Sequence, residues 1–168
     1  DWKRFFNCKH DCGYAALGII HTPFQQLNNM PIQPVGAKDI EGEAVIDDAY
    51  QDGLKDLEGF SHIYLIYLFH KADKTKLHVV PYLDKVERGV FSTRSPQRPS
   101  HIGLSLVELV AVNGNKLIFR GVDMLNGTPL LDIKPYMPKF EACDAIRTGW
   151  MQSRPKTIAK MRSDDRFI

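Results

Sequence analysis

The apolar residues of this chain come in short parcels, and that parcelling limits its fold more than any other feature. Residues 15–21, 43–46, 62–70, 102–112, 117–123 and 130–133 are rich in Ile, Val, Leu and aromatics, and most are bounded by Gly, Pro or Asn. Runs this short and this closely punctuated suit strands, with turns between them. Asn113-Gly114 stands between two of them, and Asn-Gly readily takes the two positive φ angles of a type I′ hairpin turn. Residues 63–69 read Ile-Tyr-Leu-Ile-Tyr-Leu-Phe without apolar/polar alternation, so both faces of that strand are expected to be covered, as in a closed or packed sheet.

Helical signals are fewer. Asp48 is placed to cap a short turn through Leu57 that ends near Gly59, and residues 141–151 and 156–162 are expected as terminal helices with a break at Pro155. A mostly β domain with peripheral helices results. At 168 residues one compact domain is expected, and neither a repeat nor a Gly/Ser linker divides the chain. The longest run without a polar break is the seven residues 63–69, whereas a spanning helix needs roughly 20; no membrane crossing is expected.

The net charge of +2 is too small to announce a nucleic-acid binder, but it is unevenly spread. From Arg147 onward six Arg or Lys face only Asp164 and Asp165, so the basic excess sits at the C-terminal end. Three cysteines cannot all pair internally, and no apolar signal segment opens the sequence; a reducing cytoplasm is the expected setting. Cys8, His10 and Cys12 with Cys143 could supply four zinc ligands, yet structural zinc sites use two Cys/His pairs and the second is missing, so no metal is expected. The third Cys of a radical enzyme's Cys motif would fall at Ala15, which removes that reading too.

Residues 88–105 carry Arg88, Arg94 and Arg98, with Pro96, Pro99 and five hydroxyl side chains. That composition forms no plausible core and is read as a structured binding loop, in which prolines lower the ordering entropy and arginine forks suit carboxylate or phosphate. Residues 123–136 hold an Asn126-Gly127 turn with Thr128, and Leu125 and Leu130 could contact a flat ring. Asp132, Lys134 and Tyr136 alternate there, so a carboxylate, an ammonium and a phenol are expected on one strand face. His62 and His70 bracket the most apolar strand, and His70 with Lys71 opens a loop.

Ile19-Ile-His-Thr-Pro-Phe24, Pro31-Ile-Gln-Pro34, Leu57-Glu-Gly-Phe-Ser-His62, Arg88 through Pro96, Arg98 through Ser105 and Asp123 through Tyr136 together resemble the TsaA-like (TrmO) family of tRNA methyltransferases. The resemblance implies a single-sheet β-barrel with short peripheral and C-terminal helices, divided as an N-terminal extension 1–14, a barrel 15–140 and a basic C-terminal extension 141–168. It implies S-adenosylmethionine as cofactor, a homodimer with the ligand near the subunit contact, and methylation of the exocyclic nitrogen of threonylcarbamoyl-adenosine beside a tRNA anticodon. By motif, the residues around the cofactor are expected to be Gln33, Pro34, Val35, His70, Lys71, Arg94, Leu104, Leu125, Asn126, Gly127, Thr128 and Pro129. Val35, Ser100 and Asn126 depart from the family's usual Gly, Asn and Asp. Because the acceptor nitrogen is conjugated to a purine and a carbonyl, a base is expected to assist loss of its proton. Asp132 is the first choice, ahead of Tyr136 and His70, while Arg98 and Lys134 are expected to hold the threonyl carboxylate. A barrel that binds the cofactor without turnover is the rival reading.

Overall fold

The computed structural model describes residues 14–82, 84–143, 147–151 and 160–164. In chain order the strands are β1 (Gly18–His21), β2 (Glu41–Ile46), β3 (His62–Leu68), β4 (His78–Val79), β5 (Arg88–Gly89), β6 (Ile102–Asn113), β7 (Lys116–Arg120) and β8 (Thr128–Pro135), followed by one short helix, α1 (Pro138–Glu141). Six strands close into a barrel in the order β1-β2-β7-β6-β3-β8, and β4 and β5 form a separate two-stranded ribbon. Every barrel pairing is antiparallel.

Alternation decides which side chains enter. Ala44 and Ile46 of β2, Val107 of β6, Leu117 and Phe119 of β7 and Leu130 of β8 are buried around Ile20, Ile63 and Leu65, and each such side chain contributes roughly 1.5 to 3 kcal/mol by leaving water. Tyr67 of β3 is also inside, lying over Gly103 of β6, where an added Cβ would come within 2.3 Å of its ring. Gly103 is therefore the space that the tyrosine occupies.

β3 lies between β6 and β8, but its expected double coverage is only partly met. Tyr64 and Ile66 point outward and remain half-exposed, beside Leu104 of β6, which is 48% exposed. The hairpin between β6 and β7 also differs from expectation. Asn113 pairs with Lys116, so Gly114 and Asn115 occupy the turn, and Gly114 has positive φ (61°) while neither asparagine does. That is the II′ pattern with Gly first, not I′. Its cause is Asn115, whose side-chain amide donates to the Ile46 carbonyl (3.0 Å) and to Asp48 (3.2 Å).

The turn after β2 is two pieces of 3-10 helix, Asp48–Leu54 and Leu57–Gly59, and its cap is Asp47, which accepts from the Ala49 amide at 2.9 Å. Of the helix expected over 141–151, only Glu141, the last residue of α1, is helical among the described residues; Gly149 takes φ +63°, and Trp150 turns back to donate to the Ser92 carbonyl (2.8 Å) with the Arg88 guanidinium 5.6 Å from its ring centre. Beyond it, Arg162 bridges to Pro31, and Ser163 exchanges backbone hydrogen bonds with Asn29 (2.9 Å) and Met30 (2.8 Å). Lys160 is still helical, and Arg162 and Ser163 after it are docked in extended form. Cys8, His10, Cys12, Pro155 and Lys156 lie outside the described residues, as does most of the expected helix 156–162. No helix among the described residues is long and apolar enough to cross a membrane.

Candidate functional site

At one end of the barrel a cavity of about 400 Å³ opens between five stretches of chain, within the size range of small-molecule sites. Its walls come from residues 27–33, the end of β3 with the turn after it, the arginine loop, the start of β6 and the turn before β8. Trp150, Met151, Ser163 and Asp164 add a further wall from the C-terminal segment.

The arginine loop is held by its own hydroxyls. Thr93 donates to the Val90 carbonyl (2.7 Å) and accepts from the Ser95 amide (3.2 Å), while Ser95 accepts from the Gln97 amide (3.2 Å). Thr93, Ser95 and Gln97 are buried, although their composition reads as a solvated loop; local hydrogen bonding satisfies the Thr93 and Ser95 hydroxyls, while Gln97 Oε1 is buried without a hydrogen-bond partner among the described residues. Between these anchors Arg94 is left facing the cavity, where it donates to Gln33 Oε1 at 3.1 Å. Arg98 donates to the Thr93 carbonyl at 3.3 Å and also lines the cavity.

The turn before β8 is stitched to the chain after β1. Asn126 Oδ1 accepts from the Thr22 amide (3.0 Å), the Gly127 amide donates to Ile20 (2.9 Å), and Gly127 has φ +79°. Asn126 and Gly127 thereby frame the site, and Leu125 and Thr128 form its surface. Thr128 Oγ1 donates to the Leu125 carbonyl at 2.6 Å and stands 3.4 Å from His70 Nδ1. Burial, assisted by the neighbouring Lys71 charge, holds the His70 pKa below its usual value, which favours a neutral imidazole.

Of the residues expected around a ligand, Gln33, His70, Lys71, Arg94, Arg98, Leu104, Leu125 and Thr128 line the cavity together. Pro34 begins a 3-10 turn, Val35 is 47% exposed, and Pro129 sits in the β1–β8 ladder opposite Ile19; none of the three is on the cavity wall. Asp132, Lys134 and Tyr136 are not there either. Asp132 and Lys134 form an ion pair of 2.9 Å on the outer face of β8, opposite Ile66 and Tyr64. Tyr136 lies just past the strand, edge-on to Tyr64 with ring centres 5.9 Å apart.

One residue of the cavity escaped the sequence reading. Asp123 is on the cavity wall and accepts from Ser105 Oγ at 2.7 Å, and Ser105 is 3.1 Å from the Tyr67 hydroxyl. Burial pushes the Asp123 pKa up to about 7, against the opposing pull of the Ser105 hydrogen bond and the Arg94 charge. The same burial raises Tyr67 far beyond the ordinary phenol range. Nothing in the local sequence separates Asp123 from a charge at the end of a strand. Among the described residues no His, Cys, Asp and Glu side chains gather as a metal-binding set.

The family described as the tRNA-methyltransferase O N-terminal domain matches residues 19–142. The chain belongs to the TrmO family. All the barrel strands but the first residue of β1 lie inside the TrmO match, and Trp150, Met151, Ser163 and Asp164, which wall one side of the cavity, lie beyond it. A probable S-adenosyl-L-methionine-binding protein of Pyrococcus abyssi is 49% identical over 155 residues, covering 92% of this chain and 84% of that protein. The human tRNA (adenine(37)-N6)-methyltransferase is 44% identical over 134 residues, which are 75% of this chain and 30% of the human protein. The crystal structure of TrmO from Pseudomonas aeruginosa superposes with a TM-score of 0.69 at 34% identity, over 82% of this chain and 62% of that one. This chain therefore spans less than two thirds of the solved TrmO structure and under a third of the human enzyme.

Proposed function

We propose that this chain uses S-adenosylmethionine to methylate the exocyclic nitrogen of threonylcarbamoyl-adenosine beside a tRNA anticodon, as a cytoplasmic enzyme. The carrying observation is the convergence of Gln33, His70, Lys71, Arg94, Leu104, Leu125 and Thr128 on one cavity of about 400 Å³, together with relatives named for S-adenosylmethionine binding and for tRNA adenine N6-methylation.

The lining fits the cofactor by chemistry. Arg94 and Lys71 suit its carboxylate, Leu104 and Leu125 suit a flat base, and Thr128, Gln33 and neutral His70 offer hydrogen bonds at the rim. Bound there, the cofactor supplies an electrophilic methyl group on a positively charged sulfur. The protein's task is then to fix the acceptor nitrogen in line with that methyl and to accept its proton. Arg98 lines the same cavity, and its fork suits the threonyl carboxylate of the substrate.

Asp132, Lys134 and Tyr136 enter this scheme through a second copy of the chain. Tyr64, Ile66, Leu104 and Leu106 form an apolar outer surface across β3 and β6 whose next row on β8 is Asp132 and Lys134, and Leu104 also reaches the cavity. A homodimer that covers this surface would bring one subunit's Asp132, Lys134 and Tyr136 to the other's cavity mouth. Asp132 would be the base, and Lys134 would join Arg98 on the substrate carboxylate. Sedimentation of Ile66→Glu is expected to give monomer. Mixing inactive Arg94→Ala with inactive Asp132→Asn should restore part of the activity; two inactive variants that stay inactive when mixed would remove the shared site.

The deciding assay is methyl transfer to purified tRNA carrying threonylcarbamoyl-adenosine, read by mass spectrometry of the nucleosides. A methylated product is expected. Cofactor binding by calorimetry with no product would leave the binding-module reading instead. The basic C-terminal stretch is assigned to the tRNA backbone, so neutralising Lys156 and Lys160 should reduce the salt slope of RNA binding by roughly one to two.

A further inference from the structure

Asp123 is partly buried on the cavity wall, which it shares with the buried side chains of Met124, Leu125 and Tyr67. Ser105 of β6 donates to it, and Tyr67 of β3 is joined to Ser105 in turn. Three polar groups from three parts of the barrel thus run as one chain from the core to the cavity wall. The other titratable or charged groups on the walls are Arg94 and Arg98 of the loop, His70 and Lys71 after β3, Tyr82 and Asp164; Arg94 is the one whose charge is felt at Asp123. A carboxyl in such surroundings either keeps its proton or meets a cation.

We propose that Asp123 is the counter-charge for the sulfonium of the methyl donor, and that it gives up its proton when that cation enters the cavity. The inference rests on the reading of this cavity as the S-adenosylmethionine site. A sulfonium has no N–H to satisfy, so a single carboxylate set in an apolar wall suits it. An ammonium at the same point would call for two or three acceptors. The demethylated product carries no charge on sulfur, so beside it Asp123 keeps its proton.

The balance closes over a turnover. The methyl carbon's bond to sulfur breaks, its bond to the acceptor nitrogen forms, and that nitrogen loses one proton. Asp123, no longer facing a cation, regains one proton and returns to the state it had before the donor entered. The proton generated by the overall reaction is thus the one already delivered to solvent when the donor bound. Asp123 also favours donor over spent product, which helps the product leave.

The test is titration calorimetry of the full chain with S-adenosylmethionine and with S-adenosylhomocysteine, each in phosphate and in Tris at about pH 6.5, where a carboxyl titrating near 7 is still mostly protonated. The two ligands share nucleoside and amino acid, so their difference isolates the charge on sulfur. The donor should release between about half and one proton and the product close to none. In Asp123→Asn the release should vanish and donor affinity fall about tenfold or more, with product affinity within about threefold of wild type. Retained product binding shows that the variant is folded. Heat independent of buffer in the wild type, release that persists in Asp123→Asn, or equal loss of both ligands would overturn the proposal. If the wild type binds neither ligand, it is the reading of the site that fails.

Discussion

Arg94 is effective because its neighbours are buried and it is not: Thr93 and Ser95 tie the backbone down on either side, and its guanidinium is left to the cavity. Arg94→Ala should therefore weaken cofactor binding by roughly 1.5 to 3 kcal/mol, about ten- to a hundredfold by calorimetry. Arg94→Lys should rescue little, since an ammonium cannot reproduce a planar fork. Arg94 was legible in the sequence as a fork just ahead of a stiffening proline, whereas Asp123 was not, because its significance is its burial and burial is a property of the closed barrel. That burial also predicts a pH dependence of stability. The folded Asp123 titrates near 7, above its ordinary 3.8, so its contribution is complete below about pH 4 and is lost as pH rises through about 7, on the order of 4 kcal/mol over the whole window. Urea unfolding at pH 5 and pH 8 should show roughly two thirds of that fall in the wild type and a flatter profile in Asp123→Asn.

Among the elements, the strands were legible because β-branched and aromatic runs with short spacers leave few alternatives. The β6–β7 turn shifted by one residue because Asn113-Gly114 and Gly114-Asn115 are both good turn pairs, and the choice falls to Asn115 reaching Ile46 and Asp48 at the end of the neighbouring strand β2. Such a contact joins residues far apart in sequence and leaves no local trace. The same holds for the C-terminal segment, whose charges read as a contact for the tRNA backbone and not as a wall of the cavity. Its central peg is Ser163, whose hydroxyl donates to the Leu27 carbonyl (2.5 Å) and accepts from the Met30 amide (2.8 Å). Ser163→Ala should loosen this strap by about 1 to 2 kcal/mol. The expected signature is local: faster cleavage of the C-terminal segment by protease and weaker cofactor binding, with a nearly unchanged unfolding midpoint. An unaltered cleavage rate would show that the strap is held chiefly by its backbone ladder and by Trp150.

For the molecule as a whole, closure is what makes the site. The end of β3, the start of β6 and the turn before β8 are neighbours only because the sheet has curled round on itself. β1 completes that curl with four residues, pairing Gly18 with Ile46 on one side and with Leu130, more than a hundred residues away, on the other. Pairings so distant along the chain are slow to find, because loop-closure entropy is lost before the contact is gained. The β1–β8 seam is thus expected to be the last to zip during refolding, and Leu125 and Thr128 hang from that seam. Stopped-flow refolding should then show expulsion of an apolar dye from the collapsing core running ahead of ligand capture, the two converging only in the slowest phase. A chain that has already collapsed would still be unable to bind, and the ligand would act as a clock for the final stitch.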